Sequence, residues 1–273
     1  MNKFFVIILL ALVVFTSCDT YNKISKINNI EYRYEEAKAL YMRGQYGKAA
    51  ELIENIVAFF KGSDKADESM FVLAMCYYES GDYVTASQCF KACYTNYPRG
   101  IYAEMARFYS GKSLYKNIAE PELDQTDTYT AIEELQLFME YYPYSRYSDE
   151  AQNMMFEMHD ILVKKDYLSA KLYYDLGDYM VHMGNNYLAS IITAQNALKD
   201  YPYTKLREDL YMLILRARYQ MADKSVAELQ PERYREVIDE YYAFKNEFPG
   251  SKYMAEADKY YQESLEEIEK NTK

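Results

Sequence analysis

The sequence predicts an all-α fold of about five stacked helix hairpins with a C-terminal capping helix, and three observations carry the prediction. One helical spacing of small and large apolar residues recurs in five segments. A proline closes four of them at a constant distance. Turn formers are scarce, with 9 glycines and 6 prolines among 273 residues. A spacing of i, i+4, i+7, i+8, i+11 defines one face of an α-helix and would scatter over both faces of a strand. Half of the chain is hydrophobic, enough at this length for a continuous core.

The segments run in chain order. The first has Gly44 and Tyr46 before Ala49, then Ile53, Ile56, Val57 and Phe60. The second repeats those offsets with Gly81, Tyr83, Ala86, Phe90, Cys93, Tyr94 and Tyr97. The third carries Ala131, Leu135, Phe138, Met139 and Tyr142; the fourth Tyr187, Ser190, Ala194, Ala197, Leu198 and Tyr201. The fifth carries Tyr234, Val237, Tyr241, Phe244 and Phe248, with Lys245 as a polar intruder. Pro98, Pro143, Pro202 and Pro249 follow the last four, and Lys61 takes that place in the first. Proline there stops the helix and sets the turn to the next hairpin. Upstream, Ala37 and Leu40, Ala74 and Tyr77, and Gly177 and Met180 read as the facing positions of paired helices, the small member allowing close approach. This small–large–small–Pro register, with Gly-x-Tyr at the turn, resembles the tetratricopeptide repeat. That resemblance implies a solenoid in which each hairpin buries its apolar face only against its neighbours.

Irregular spacing marks insertions. Residues Asn117 to Thr128, with Pro121 and four acidic side chains, read as a loop inside the third repeat, and Ser225 to Pro231 as another. Tyr147 to His182 contains no proline and reads as one long kinked helix or two. Ser251 to Asn271 is an amphipathic helix suited to cap the stack.

Residues 1–17 have the form of a secretion signal: Lys3, an apolar run from Phe4 to Phe15, then small residues before Cys18. The run is too short to span a bilayer, which takes about 20 residues. Phe15-Thr16-Ser17-Cys18 resembles a lipobox, although Leu is usual at its first position. That resemblance implies cleavage before Cys18 and acylation of it, with palmitate among the acyl chains. Residues 18–30 then form a lipidated cysteine and a polar tether reaching about 35 Å. The rest divides into N-terminal repeats one to three (31–145) and C-terminal repeats four and five with the cap (146–273).

Little chemistry is visible. The net charge of −11 repels phosphate and argues against nucleic acid as a partner. His159 and His182 have no second histidine or cysteine at ligand spacing, so neither a metal site nor a cofactor is expected. Gly-rich phosphate loops and nucleophile elbows are missing, and an enzyme is not expected. Cys76, Cys89 and Cys93 read first as small buried hydrophobes. A disulfide from Cys76 to either of the others stays open. The first helices of repeats one and two offer Arg33, Tyr34, Lys38, Tyr41, Tyr77 and Tyr78 as candidate peptide-binding residues, aromatic anchors beside cations.

A closer resemblance covers nearly the whole chain beyond the signal. Tyr34 to Ala49, Cys76 to Asp82, Tyr141 to Tyr147, Asp166 to Tyr174, and Asp200 to Thr204 followed by Arg207 to Leu210 are similar to the BamD family. Members of that family are lipoprotein subunits of the machinery that assembles β-barrels in the outer membrane. The resemblance implies a lipid-anchored protein on the periplasmic face of the outer membrane. N-terminal repeats would receive unfolded barrel clients, and C-terminal repeats would grip POTRA domains of the core subunit. Arg207 stands where the family has an arginine that meets a POTRA carboxylate. Two other readings remain: a periplasmic repeat scaffold for envelope division or polysaccharide export, and a glycan-binding nutrient-uptake lipoprotein. The last relies on Trp platforms, and this chain has no Trp.

Overall fold

The computed structural model of the chain describes residues 27–179 and 185–270, so the signal segment, Cys18, Met180 and His182 lie outside the described residues. Among the described residues there are eleven α-helices and no strand. They pair as expected: α1 (Ile30–Met42) with α2 (Tyr46–Glu54), α3 (Ala66–Ser80) with α4 (Tyr83–Asn96), and α5 (Ala103–Lys116) with α6 (Thr126–Tyr141). Then come α7 (Ser148–Leu176) and α8 (Asn186–Asp200), and α9 (Arg207–Asp223) packed on α10 (Gln230–Glu247). Helix α11 (Met254–Lys270) covers α10 as the cap. The run left open as one helix or two is a single α-helix as far as Leu176.

The turns explain why these sequences fold this way. Gly44 and Gly81 adopt φ of 74° and 85°, which a side chain disfavours. At each, the following N–H reaches back five residues, Gln45 to Leu40 O and Asp82 to Tyr77 O, each at 2.9–3.0 Å. This closes the first helix with a Schellman turn. Asp82 then caps α4 by accepting the Thr85 N–H at 3.1 Å.

The proline turns are near-identical. Tyr97, Tyr142, Tyr201 and Phe248, each before a proline, have φ between −131° and −128° and ψ between 61° and 67°. Each carbonyl accepts the N–H three residues on, at 2.9–3.2 Å. Ser145, Thr204 and Ser251 add a hydroxyl that accepts the N–H two residues further. Lys61-Gly62-Ser63 makes the same turn without proline: Ser63 N–H bonds Phe60 O at 2.9 Å, and Ser63 Oγ accepts from Lys65 N.

One expectation needs correcting. The apolar face of the first repeat continues through Phe60, but the helix does not. It stops at Glu54, where the Asn55 amide donates to the Glu51 carbonyl at 2.8 Å, and Val57–Phe60 is a 3-10 turn. Ile53, Ile56 and Phe60 are buried all the same. A second correction concerns Gly177, which lies beyond the end of α7 with φ of 50°. It still lies close to α8, where a Cβ on it would come within 2.6 Å of the Tyr187 hydroxyl. Within the second half of α7, Ala170 is buried in one cluster with Ala194 and Ala197 of α8.

The contacts divide the chain into two compact units. Among the described residues, one comprises 27–119 with Gln125–Met155; the other comprises Glu120–Asp124 and those from Phe156 onward. In the first, α1 and α2 enclose a cluster with Tyr34, Ala37, Ile53, Phe60 and Cys76. A second cluster joins α3, α4 and α5 around Phe71, Ala74, Phe90 and Cys93. In the second unit, Ala170, Ile191, Ala194 and Leu210 form one cluster, and Met212, Tyr234, Val237, Phe244 and Ala257 another. The middle of the acidic insertion, Glu120–Asp124, belongs to this unit, where Lys165 Nζ donates to Leu123 O at 3.2 Å.

Candidate functional site

In the N-terminal unit the first helix of each hairpin supplies the candidate surface. Tyr41 on α1 meets Tyr46 edge-on at 5.3 Å. Tyr78 on α3 meets Tyr83 at 5.5 Å and Tyr109 of α5 at 5.3 Å, the latter perpendicular. Burial pushes both the Tyr41 and the Tyr78 hydroxyls up to about 12, and the Glu79 carboxylate adds to each shift. These rings therefore remain neutral hydrogen-bond donors at any ordinary pH. Lys38 pairs with Glu35 at 2.9 Å and Glu68 at 3.5 Å. Arg33 is half-buried, and its Nε has no hydrogen-bond partner.

One of the expected anchors is packed instead. Tyr34 has 0% exposure and lies against Phe60, ring centres 5.1 Å apart, with the Lys38 ammonium 4.8 Å from its ring centre. With no accessible surface it is a core residue, which corrects its reading as a peptide contact. Tyr77 is half-buried, and its hydroxyl donates to Glu54 of α2, tying successive hairpins together. Tyr109 is the member that sequence reasoning missed. The third hairpin lacks a Gly-x-Tyr turn, so nothing local fixed the register of its first helix.

Among the described residues, Cys76, Cys89 and Cys93 are free. Cys76 packs with Leu40 and Ile53, whereas Cys93 packs with Phe71 and Ala86. Burial raises the thiols of Cys76 and Cys93 to about 12 and that of Cys89 to about 11, which leaves no reactive thiolate.

In the C-terminal unit Arg207 opens α9. Its Nε donates to Glu247 Oε1 at 2.8 Å, Nη1 to the Pro202 carbonyl at 3.2 Å, and Nη2 to the Tyr211 hydroxyl at 3.3 Å. The side chain is 29% exposed. Thus it staples the end of α10 to the start of α9 while part of the guanidinium still meets solvent. Further along α9, Arg216 grips Glu256 of the cap through two bonds of 2.7 and 2.6 Å. Arg218 reaches Glu236 at 2.8 Å and Glu240 at 3.0 Å on α10. His159 packs near Tyr201, ring centres 5.9 Å apart. Among the described residues no group of three or more His, Cys, Asp or Glu side chains could hold a metal ion. Nor is any described helix long and apolar enough to cross a membrane.

Helix pairs of this geometry are common to many scaffolds, so the comparison with known families decides. A family model described as an outer membrane lipoprotein, YfiO, matches residues 28–228, nearly three-quarters of the chain. The chain belongs to the YfiO family. No curated protein matches it. The YfiO match, with which the BamD resemblance agrees, covers four hairpins and α9, Arg207 included, and ends in the loop before α10. Membership makes this YfiO protein an outer membrane lipoprotein of the assembly machinery.

Proposed function

We propose that this YfiO-family protein is a non-enzymatic subunit of the β-barrel assembly complex. It is anchored through acylated Cys18 on the periplasmic face, holds POTRA domains of the core subunit with its C-terminal repeats, and receives unfolded barrel clients with its N-terminal repeats. The family match over residues 28–228 carries this reading.

Residue placement supports the division of labour. Half-buried Tyr41 and Tyr78, with Lys38 and Arg33 on the helix of Tyr41, offer aromatic faces and donors to an extended client segment. Arg207 offers a partly exposed fork to a POTRA carboxylate.

Depletion of the protein, followed by quantification of assembled outer membrane barrels, tests the reading. Barrel levels fall if it is right, and normal levels overturn it. Affinity purification from solubilised membranes separates the alternatives. Recovery of peptidoglycan synthases or export components in place of a barrel protein favours a different scaffold, and oligosaccharide binding by calorimetry favours nutrient uptake. Replacing Arg207 with Glu weakens capture of the POTRA segment; unchanged capture removes Arg207 from the interface.

A further inference from the structure

We infer that the edge of the N-terminal unit formed by its inter-hairpin turns seats directly on an anionic phospholipid surface. In antiparallel stacked hairpins, every turn from a second helix to the next first helix falls at the same end. Two contacts join these turns into a row. The Ile101 N–H donates to Asp67 at 3.1 Å, and Ser145 Oγ donates to Glu104 at 2.5 Å. Between successive turns lie two open grooves of about 420 and 620 Å³.

Each turn presents one exposed apolar or aromatic side chain and one exposed cation. Phe59 (69% exposed) accompanies Lys61, Ile101 (83%) accompanies Arg99, and Tyr144 (99%) accompanies Arg146. Among the described residues none of these three cations has a carboxylate partner; Arg146 donates to the Tyr147 hydroxyl instead. Residues 59–65, 97–102 and 142–147 contain four cations and one acid, Asp64. Lys65 pairs with Glu31 at 3.4 Å, and Asp67 and Glu104 are occupied by the two contacts that join the turns. This leaves Lys61, Arg99 and Arg146 as the unpaired cations of this edge in a chain whose net charge is −11. A basic edge on an acidic protein, with an aromatic or aliphatic tip beside each charge, matches the phospholipid interface. There, rings sit at headgroup level and cations meet phosphate. Family membership places the chain at such a surface. The equivalent turns of the C-terminal unit differ: Lys205 is bound to Asp160 at 2.9 Å, and Lys252 lies 3.8 Å from Asp209. Their charge is already neutralised.

The chain contains no tryptophan, so one introduced indole reports its surroundings alone. The full-length protein carrying Tyr144→Trp or Ile101→Trp is reconstituted into phosphatidylethanolamine–phosphatidylglycerol vesicles with brominated acyl chains. In both variants the emission shifts to the blue and is quenched. Tyr129→Trp, on α6 at the opposite end of its hairpin, keeps its aqueous emission. Adding Lys61→Gln, Arg99→Gln and Arg146→Gln together lowers the ratio of seated to unseated protein roughly a hundredfold, with helicity by circular dichroism unchanged. Unshifted, unquenched emission from the two edge variants overturns the inference. So does quenching that is equal at residue 129, or a shift appearing only when membrane protein extract is added, which assigns the edge to a protein partner. The measurement uses no barrel partner, so its failure leaves the assembly function standing.

Discussion

Leu135 occupies the space that a side chain at Gly111 would need. A Cβ built on Gly111 would lie 2.6 Å from Leu135 Cδ2 and 2.7 Å from its Cγ. Both residues are buried in the pairing of α5 with α6. An Ala in mid-helix ordinarily gains about 1 kcal/mol over Gly. Here the clash outweighs that gain, and Gly111→Ala destabilises the N-terminal unit by about 1–3 kcal/mol. Urea unfolding followed by circular dichroism measures the loss. Leu135→Ala in the same chain relieves the clash, so the double variant is more stable than the sum of the single effects requires. A stabilised Gly111→Ala variant would show that α5 and α6 can move apart freely.

His159 gives the C-terminal unit a pH dependence. Burial beside Tyr201 lowers its pKa from the ordinary value of 6.5, against a smaller opposing pull from Asp160. A histidine held neutral by the fold takes up a proton more readily when unfolded. Its stabilising contribution is therefore complete above about 6.5 and is lost as pH falls through the lower folded value. Denaturant midpoints of the wild type fall between pH 7.5 and 5.5, and His159→Gln flattens that slope. A slope unaltered by the substitution assigns the effect to other groups.

Glu247 competes with any partner for Arg207. Its carboxylate accepts the Nε–H at 2.8 Å and is the main reason the Arg207 pKa is raised. Glu247→Gln keeps the shape and weakens that hold, so under the proposed role of Arg207 POTRA capture tightens about fivefold, an energy of ~1 kcal/mol typical of an exposed ion pair. Surface-based binding assays with the isolated POTRA segment read the change. Weaker capture by this variant would mean that the Arg207–Glu247 pair acts as a unit in the interface.

The predictions reach different depths because the sequence spoke unequally about them. The hairpins, the proline turns and the cap were legible, since each rests on contacts within a few residues: a 3.6-residue period, a glycine at positive φ, a proline that ends a helix. The break after Glu54 was not legible, because the apolar spacing of the first repeat survives it unchanged. Of the candidate surface, Tyr41 and Tyr78 were named from their place in the hairpin, and the structure leaves both half-buried. Tyr109 was missed because its hairpin carries no turn signature.

What the sequence determined by itself is which stretches become helices, where they stop, and which stripe of each turns inward. Tertiary packing decided what covers that stripe. Tyr34 and Tyr41 lie seven residues apart on one face of α1, yet Phe60 seals the first and leaves the second half open. Cys76 and Cys93 are both buried, but in different clusters. Arg207 meets Glu247 across 40 residues of sequence. Helical periodicity is a short-range property that marks a direction without naming a neighbour, and only the stacking of hairpins supplies the neighbour.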